Sequence, residues 1–377
     1  MNILVAMDSF KGSVTSLEAG AAVQQGIKQA GLKAEITILP VADGGEGTIE
    51  AFVHQTDGEI QQLPVTGPLG EPVEAAYGII KDQAILEVAE TSGITLVKKA
   101  DLNPWKATSY GLGELIQQLI KKGQRKFIIG LGGSATNDGG LGMLQALGYR
   151  FIQADGSEIG RNICELKHMV GIDASQVLPE IQECQFTIAS DVTNPLNGQQ
   201  GATAIFGPQK GVKSHEIKEI DQLLKRFAAI TADYLQRDMA TTPGSGAAGG
   251  LGFAILAYLN GEIQPGFQLL AQKKQLAEKI RAADLLITGE GRLDAQSVMG
   301  KVPSALAKWA QTEQKPLVAI AGSVSDDAGQ CNDYGIDAFF PIIRQIASEE
   351  ETLKKATTLE SIRQTAEQLF RFYQKIQ

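Results

Sequence analysis

Lys126-Phe-Ile-Ile-Gly-Leu-Gly-Gly-Ser-Ala-Thr-Asn-Asp-Gly-Gly140 is the stretch on which the fold turns. Phe127-Ile-Ile129 is a short apolar run with the β-branched content of a buried strand. Leu141-Gly-Met-Leu-Gln-Ala-Leu147 is spaced like the buried face of a helix. Five glycines, with Ser134, Thr136, Asn137 and Asp138, therefore separate a strand from a helix N-terminus. Such a loop either makes a tight turn with an ordinary cap, or lets backbone N–H groups approach an anion with the helix dipole in support. Asn137 and Asp138 either cap the helix, or the carboxylate holds a cation that accompanies a phosphate.

The same strand–loop–helix pattern recurs toward the N-terminus. Asn2–Met7 predicts a buried strand ending in Asp8-Ser-Phe-Lys-Gly12. Thr15-Ser-Leu-Glu18 is a capping box, and Ala19, Val23, Ile27 and Ala30 mark a helical face. Residues 35–41 predict the next strand, which runs into Ala42-Asp-Gly-Gly-Glu-Gly47 and a helix over 48–54. Alternation at this pace implies a parallel sheet, whose ligands collect where strands end and helices begin. Toward the C-terminus the pattern returns at 284–288, ending in Gly289-Glu-Gly-Arg-Leu-Asp294, then at 317–321 and 338–343. Ile362, Ala366, Leu369, Phe370 and Tyr373 mark a closing amphipathic helix.

Between these ends the texture changes. Residues 74–80 and 83–88 predict antiparallel strands with Lys81-Asp82 at the turn, and Leu112, Leu115, Ile116, Leu119 and Ile120 form a helical stripe. Residues 150–154 with Asp155-Gly156 suggest a hairpin, 186–189 a buried strand, and 216–235 an amphipathic helix. Pro243-Gly-Ser-Gly-Ala-Ala-Gly-Gly-Leu-Gly252 is a second glycine run, either a phosphate loop or close helix packing through small residues. The expected fold is α/β: an open parallel-sheet, Rossmann-like domain built from residues 1–60 and 281–377. A second α/β (α+β) domain over 61–280 is inserted, with a cleft between the two. The strand at 126–131 fits either domain.

A chain of 377 residues exceeds one compact core, and 43% hydrophobic with 20% charged residues is ordinary globular composition. A net charge of −9 argues against nucleic acid or an anionic membrane as partner. Three cysteines without C-x-x-C spacing, no signal-peptide pattern and no membrane-length apolar run predict a cytoplasmic protein. His54, His168 and His215 lack metal spacing, and no G-x-S-x-G elbow appears.

Glycine- and acid-rich loops with a few cations (Lys11, Arg292, Lys301) are what phosphoryl transfer requires. There is no Walker A loop; Ala295-Gln-Ser-Val-Met-Gly-Lys-Val302 lacks the first glycine and the Ser/Thr. A rival pattern, Gly130-x-Gly132-x-x-Ala135 with Asp155 downstream, matches a dinucleotide fingerprint and an NAD-dependent oxidoreductase, but the helix begins several residues late for it.

Seven blocks in order resemble the bacterial class I glycerate kinases. They are Asp8-Ser-Phe-Lys-Gly12, Pro40-Val-Ala-Asp-Gly-Gly-Glu-Gly-Thr48, Val65-Thr-Gly-Pro-Leu-Gly70 and Gly132-Gly-Ser-Ala-Thr-Asn-Asp-Gly-Gly140, then Asp191-Val-Thr-Asn-Pro-Leu196, Phe206-Gly-Pro-Gln-Lys-Gly211 and Ile287-Thr-Gly-Glu-Gly-Arg292. Departures are Met7, where the family commonly has proline, and Asn162-Ile-Cys164, where it tends to have glycines. The resemblance implies ATP-dependent phosphorylation of D-glycerate with Mg²⁺, at the 2-hydroxyl, as monomer or homodimer. A glycerate 3-kinase and a non-catalytic metabolite-binding protein are the alternatives. With that reaction in view, Asp191 and then Asp43 are the expected bases, with Lys11 the third catalytic group. Asp8, Ser9, Lys11, Arg292 and Glu290 are expected on the substrate. Gly132, Gly133, Ser134, Asn137, Gly244, Gly246, Gly249 and Gly250 are expected on ATP, and Asp138 and Glu290 on Mg²⁺.

Overall fold

The computed structural model describes residues 1–294, 297 and 302–376, with the side chain of Glu349 set aside. The chain divides into two compact units, Met1–Asp43 with Glu50–Gln55 and Phe267–Gln377, and Gly44–Ile49 with Thr56–Gly266. Strands β1 (Asn2–Met7) and β2 (Glu35–Ile38) open the first unit. β3 (Glu59–Thr66), β4 (Pro72–Ile80), β5 (Gln83–Glu87), β6 (Lys126–Gly130), β7 (Gln185–Ala189) and β8 (Glu262–Gln264) lie in the second. β9 (Leu285–Gly289), β10 (Leu317–Ala321) and β11 (Ala338–Pro341) return to the first.

The first unit is an open, wholly parallel sheet ordered β11-β10-β9-β1-β2. From β1 the chain moves one way to β2, and later the other way through β9 to β10 and β11. The order therefore reverses between β1 and β9, and a crevice opens at their carboxyl ends. Met7 stands opposite Gly289 in register, and the Asp8 N–H donates to the Gly289 carbonyl at 2.8 Å. That register sets Asp8 and Glu290 at neighbouring strand ends.

The helix Ser16–Gln29 starts where its capping box says, with Thr15 and Glu18 bonding reciprocally. Ser16, its first residue, donates to the Met7 carbonyl and accepts from the Val41 N–H, tying together the chain ahead of Asp8 and of Asp43. Val5, Met7, Val23 and Ile27 form the unit's core with Ile362, Ala366 and Phe370 of the closing helix Lys355–Ile376. Each large side chain so buried contributes about 1.5–3 kcal/mol. Gly26 lets the two helices close: a Cβ there would stand 2.2 Å from the Arg363 carbonyl oxygen.

The second unit holds a mixed sheet ordered β8-β7-β6-β5-β4-β3. β3, β4 and β5 are antiparallel neighbours, and β5 through β8 run parallel. β6 belongs here, which resolves its place. The helix Tyr110–Lys121 buries the predicted stripe from Leu112 to Ile120. Phe127 of β6 stacks on Phe186 of β7 at 5.0 Å.

Candidate active site

In the first unit, the crevice between β1 and β9 opens into a cavity of about 1590 Å³. Asp8, Ser9, Lys11, Asp43, Glu290 and Arg292 all line it. Asp8 and Glu290 are each 6% exposed. The Ser9 N–H donates to Asp8 Oδ1 at 2.7 Å, while Ser9 Oγ is buried with no hydrogen-bond partner among the described residues. Burial first, then the Asp43 carboxylate and Glu290, push the Asp8 carboxyl well above the usual carboxylate range. The Ser9 N–H and Lys11 pull the other way and lose. Arg292 pairs with Asp294 at 3.4 Å and keeps its side chain largely exposed. Crowded carboxylates beside a cationic side chain and an unsatisfied hydroxyl make a site with unmet polar capacity.

The carboxylates also fit a cation that brings ligands of its own. Among the described residues, no three His, Cys, Asp or Glu side chains are grouped to hold a metal ion by themselves. Mg²⁺ needs no such cage, because it binds through one or two carboxylates plus substrate phosphates. Lys301 lies outside the described residues.

The second unit holds the remaining expected residues, and most of its glycines are closed. The Gly132 N–H donates to the Gly44 carbonyl at 3.0 Å, and a Cβ on Gly132 would stand 2.4 Å from Gly45 Cα. The Gly246 N–H donates to the Asn194 carbonyl, and the Gly249 carbonyl accepts from the Gly139 N–H, both at 2.9 Å. Cβ atoms on Gly244, Gly249 and Gly250 would meet Ile263, Thr136 and Gly139 at 2.4, 2.1 and 2.7 Å. Gly244, Gly246, Gly249 and Gly250 are buried: Gly249 and Gly250 pack on the first glycine run, Gly244 and Gly246 on Ile263 and Pro195, and they form no open phosphate cradle. Gly133 is exposed, at φ +76°, with its carbonyl held by the Ile94 N–H.

Asp138 is corrected from metal ligand to cap. It is fully buried, and its carboxylate accepts from the Ser109 N–H and Oγ and from the Gly140 and Gly142 N–H groups at 2.8 to 3.2 Å. Three of these donors converge on Oδ2 and one on Oδ1, and full burial keeps the carboxylate away from a hydrated cation. Asn137 is fully buried too, its amide donating to Thr203 Oγ1 at 2.9 Å. Asp191 is exposed just past β7 in this unit. Asp155 accepts from the Ser157 N–H and Oγ in a hairpin turn, which removes the ribose role a dinucleotide fold would give it.

Lys210 and Glu87 are buried ionisable groups that escaped the sequence reading. Lys210 is 2% exposed and donates to Ser134 Oγ and the Thr136 carbonyl, both at 2.7 Å. Burial pushes its ammonium down to about 7, against the field of Asp138. Ser134 is thereby engaged as an acceptor of that clamp. Glu87, at the end of β5, accepts from the Ile49 and Gly47 N–H groups at 2.6 and 3.2 Å, and burial pushes it up to about 8. The signal for Lys210 was a lysine inside the Phe206–Gly211 block; Glu87 gave none.

The glycerate kinase family matches residues 3–374 of this chain. The chain belongs to that family. The Escherichia coli K12 protein named glycerate 2-kinase is 43% identical over 94% of each chain. The glycerate kinase of Halalkalibacterium halodurans is 42% identical over 95% of this chain and 94% of its own. A Salmonella typhimurium LT2 crystal structure assigned as a glycerate kinase 2 superposes with a TM-score of 0.84 at 41% identity, covering 100% of this chain and 98% of that one. For this glycerate kinase family member, no described helix is long and apolar enough to cross a membrane.

Proposed function

We propose that this protein transfers the γ-phosphoryl group of ATP to the 2-hydroxyl of D-glycerate, with its reaction centre at the carboxyl ends of β1 and β9. One observation carries the site: Asp8, Ser9, Lys11, Asp43, Glu290 and Arg292 line one cavity at the switch point of the parallel sheet. The regiochemistry is supported by the 2-kinase name of the Escherichia coli relative. Lys11 and Arg292 hold the substrate carboxylate and phosphate oxygens, and Ser9 Oγ bonds a substrate hydroxyl. Asp43 takes the proton as the hydroxyl oxygen bonds to the γ-phosphorus and the bond to the ADP oxygen breaks. Asp8 and Glu290 would hold Mg²⁺ that arrives with ATP, and its chemistry when bound is to neutralise charge on the phosphate oxygens. Both reactants belong to the cytoplasm, where we place the protein.

Incubation with D-glycerate, ATP and Mg²⁺, read by phosphorus NMR, tests this. 2-Phosphoglycerate is expected. 3-Phosphoglycerate would move the acceptor to the other hydroxyl, and no phosphoglycerate beside a working control would sink the kinase reading.

A further inference from the structure

The cavity is larger than its strand-end chemistry explains. Pockets for drug-sized ligands run about 300–1,000 Å³, whereas this one encloses about 1590 Å³, far more than a three-carbon acid fills. Much of its remaining lining comes from residues 342–364, where Ile342, Ile343, Ile346, Leu353 and Ala356 stand among threonines, glutamines and Glu360. Ile343 is 51% exposed, Leu353 42% and Ile346 fully so. Three large apolar side chains left open within eleven residues, on one cavity wall, are a patch that calls for a ligand. Arg344 joins them, its guanidinium donating to Gln364 on the closing helix. A guanidinium plane held in this way stacks on flat rings.

One cavity thus joins carboxylates and cations at strand ends to a wall where exposed aliphatic side chains and a guanidinium stand among polar groups. A molecule with a polyanionic part and a flat, largely apolar ring matches both, and a nucleoside triphosphate is that molecule. The buried glycines 244, 246, 249 and 250 of the second unit, closed by their own packing, do not compete for it. We infer that the 342–364 wall is the nucleobase subsite for the phosphoryl donor. The inference rests on the kinase reading above for why a nucleoside triphosphate should bind.

Ile346→Ser and Leu353→Ser test it, since both side chains are exposed and their loss leaves the core intact. In the full chain, the affinity for N-methylanthraniloyl-ADP and the KM for ATP should each weaken by about tenfold, the loss of one large aliphatic contact. The KM for D-glycerate and the inhibition constant of inorganic tripolyphosphate, which has no base, should stay within about twofold. Unchanged nucleotide affinity in both variants overturns the subsite, as does equal weakening of tripolyphosphate. A variant that changes oligomeric state while keeping nucleotide affinity also overturns it and makes the wall an interface between copies. Nucleotide binding lost in the variants, with no phosphoglycerate formed by the parent protein, upholds the subsite and rejects the kinase reading. Phosphoglycerate formed by both variants with the parent KM for ATP does the reverse.

Discussion

An ammonium group sealed from water must find partners or give up its proton, and Lys210 does both. Its two hydrogen bonds at 2.7 Å survive deprotonation, because a neutral amine still donates twice. Its folded pKa lies below that of the unfolded chain, so between about 7 and about 10.5 the unfolded state binds more protons. Stability from this site therefore rises with pH across that window. Urea unfolding at pH 7 and 9.5 should show the parent protein gaining on Lys210→Met as pH rises; a constant difference would refute the shift. Asp138→Ala leaves four buried donors without an acceptor, at roughly 1–3 kcal/mol for each group. We expect at least about 3 kcal/mol lost in the same measurement. Asp138 was legible as a cap or a cation ligand. Its choice between them was not, because the deciding donor, Ser109, lies 29 residues upstream.

Elements were legible where periodicity and punctuation agreed. The capping box placed the helix Ser16–Gln29, and the apolar run at 317–321 became β10 without a shift. β3 was missed because Glu59–Gln62 are all exposed and show no alternation; its partner β4 alone sets its register. The glycine run at 243–252 was visible, but its purpose depends on which backbone lies against it. Glycine also separates two kinds of element contact that composition cannot. At Gly26 a side chain would meet the Arg363 carbonyl oxygen at 2.2 Å, while at Gly31, φ +83°, nothing lies within 4 Å. Gly26→Val should force the first and last helices apart at about 1–3 kcal/mol or more. Gly31→Ala should cost about 1 kcal/mol, the left-handed backbone alone. Equal losses in thermal melts of the two variants would contradict this account of the helix pair.

Across the whole molecule, both chain ends build one sheet, so the first unit is complete only when the last helix arrives. Ile362, Ala366 and Phe370 are fully buried in the core that holds β1 and β9 in place. Deleting residues 355–377 should abolish cooperative unfolding of that unit and all turnover; a truncated chain that still melts cooperatively at the parent temperature would contradict the shared core. The strand–helix alternation at each end made this architecture legible. Of the candidate site, strand-end position in the sequence singled out Asp8, Ser9, Lys11, Asp43, Glu290 and Arg292, which line one cavity, whereas the closure of the buried glycines needed three-dimensional contacts. The measurement that bears most directly on the site is kcat for Asp43→Asn, set beside Asp191→Asn and both melting temperatures. Loss of a general base predicts a fall of about 10²–10⁴-fold for Asp43→Asn, with unchanged melting and a KM for D-glycerate close to the parent value. Near-normal turnover in Asp43→Asn, with the large loss falling on Asp191→Asn, would contradict the placement of the proton acceptor in this cavity.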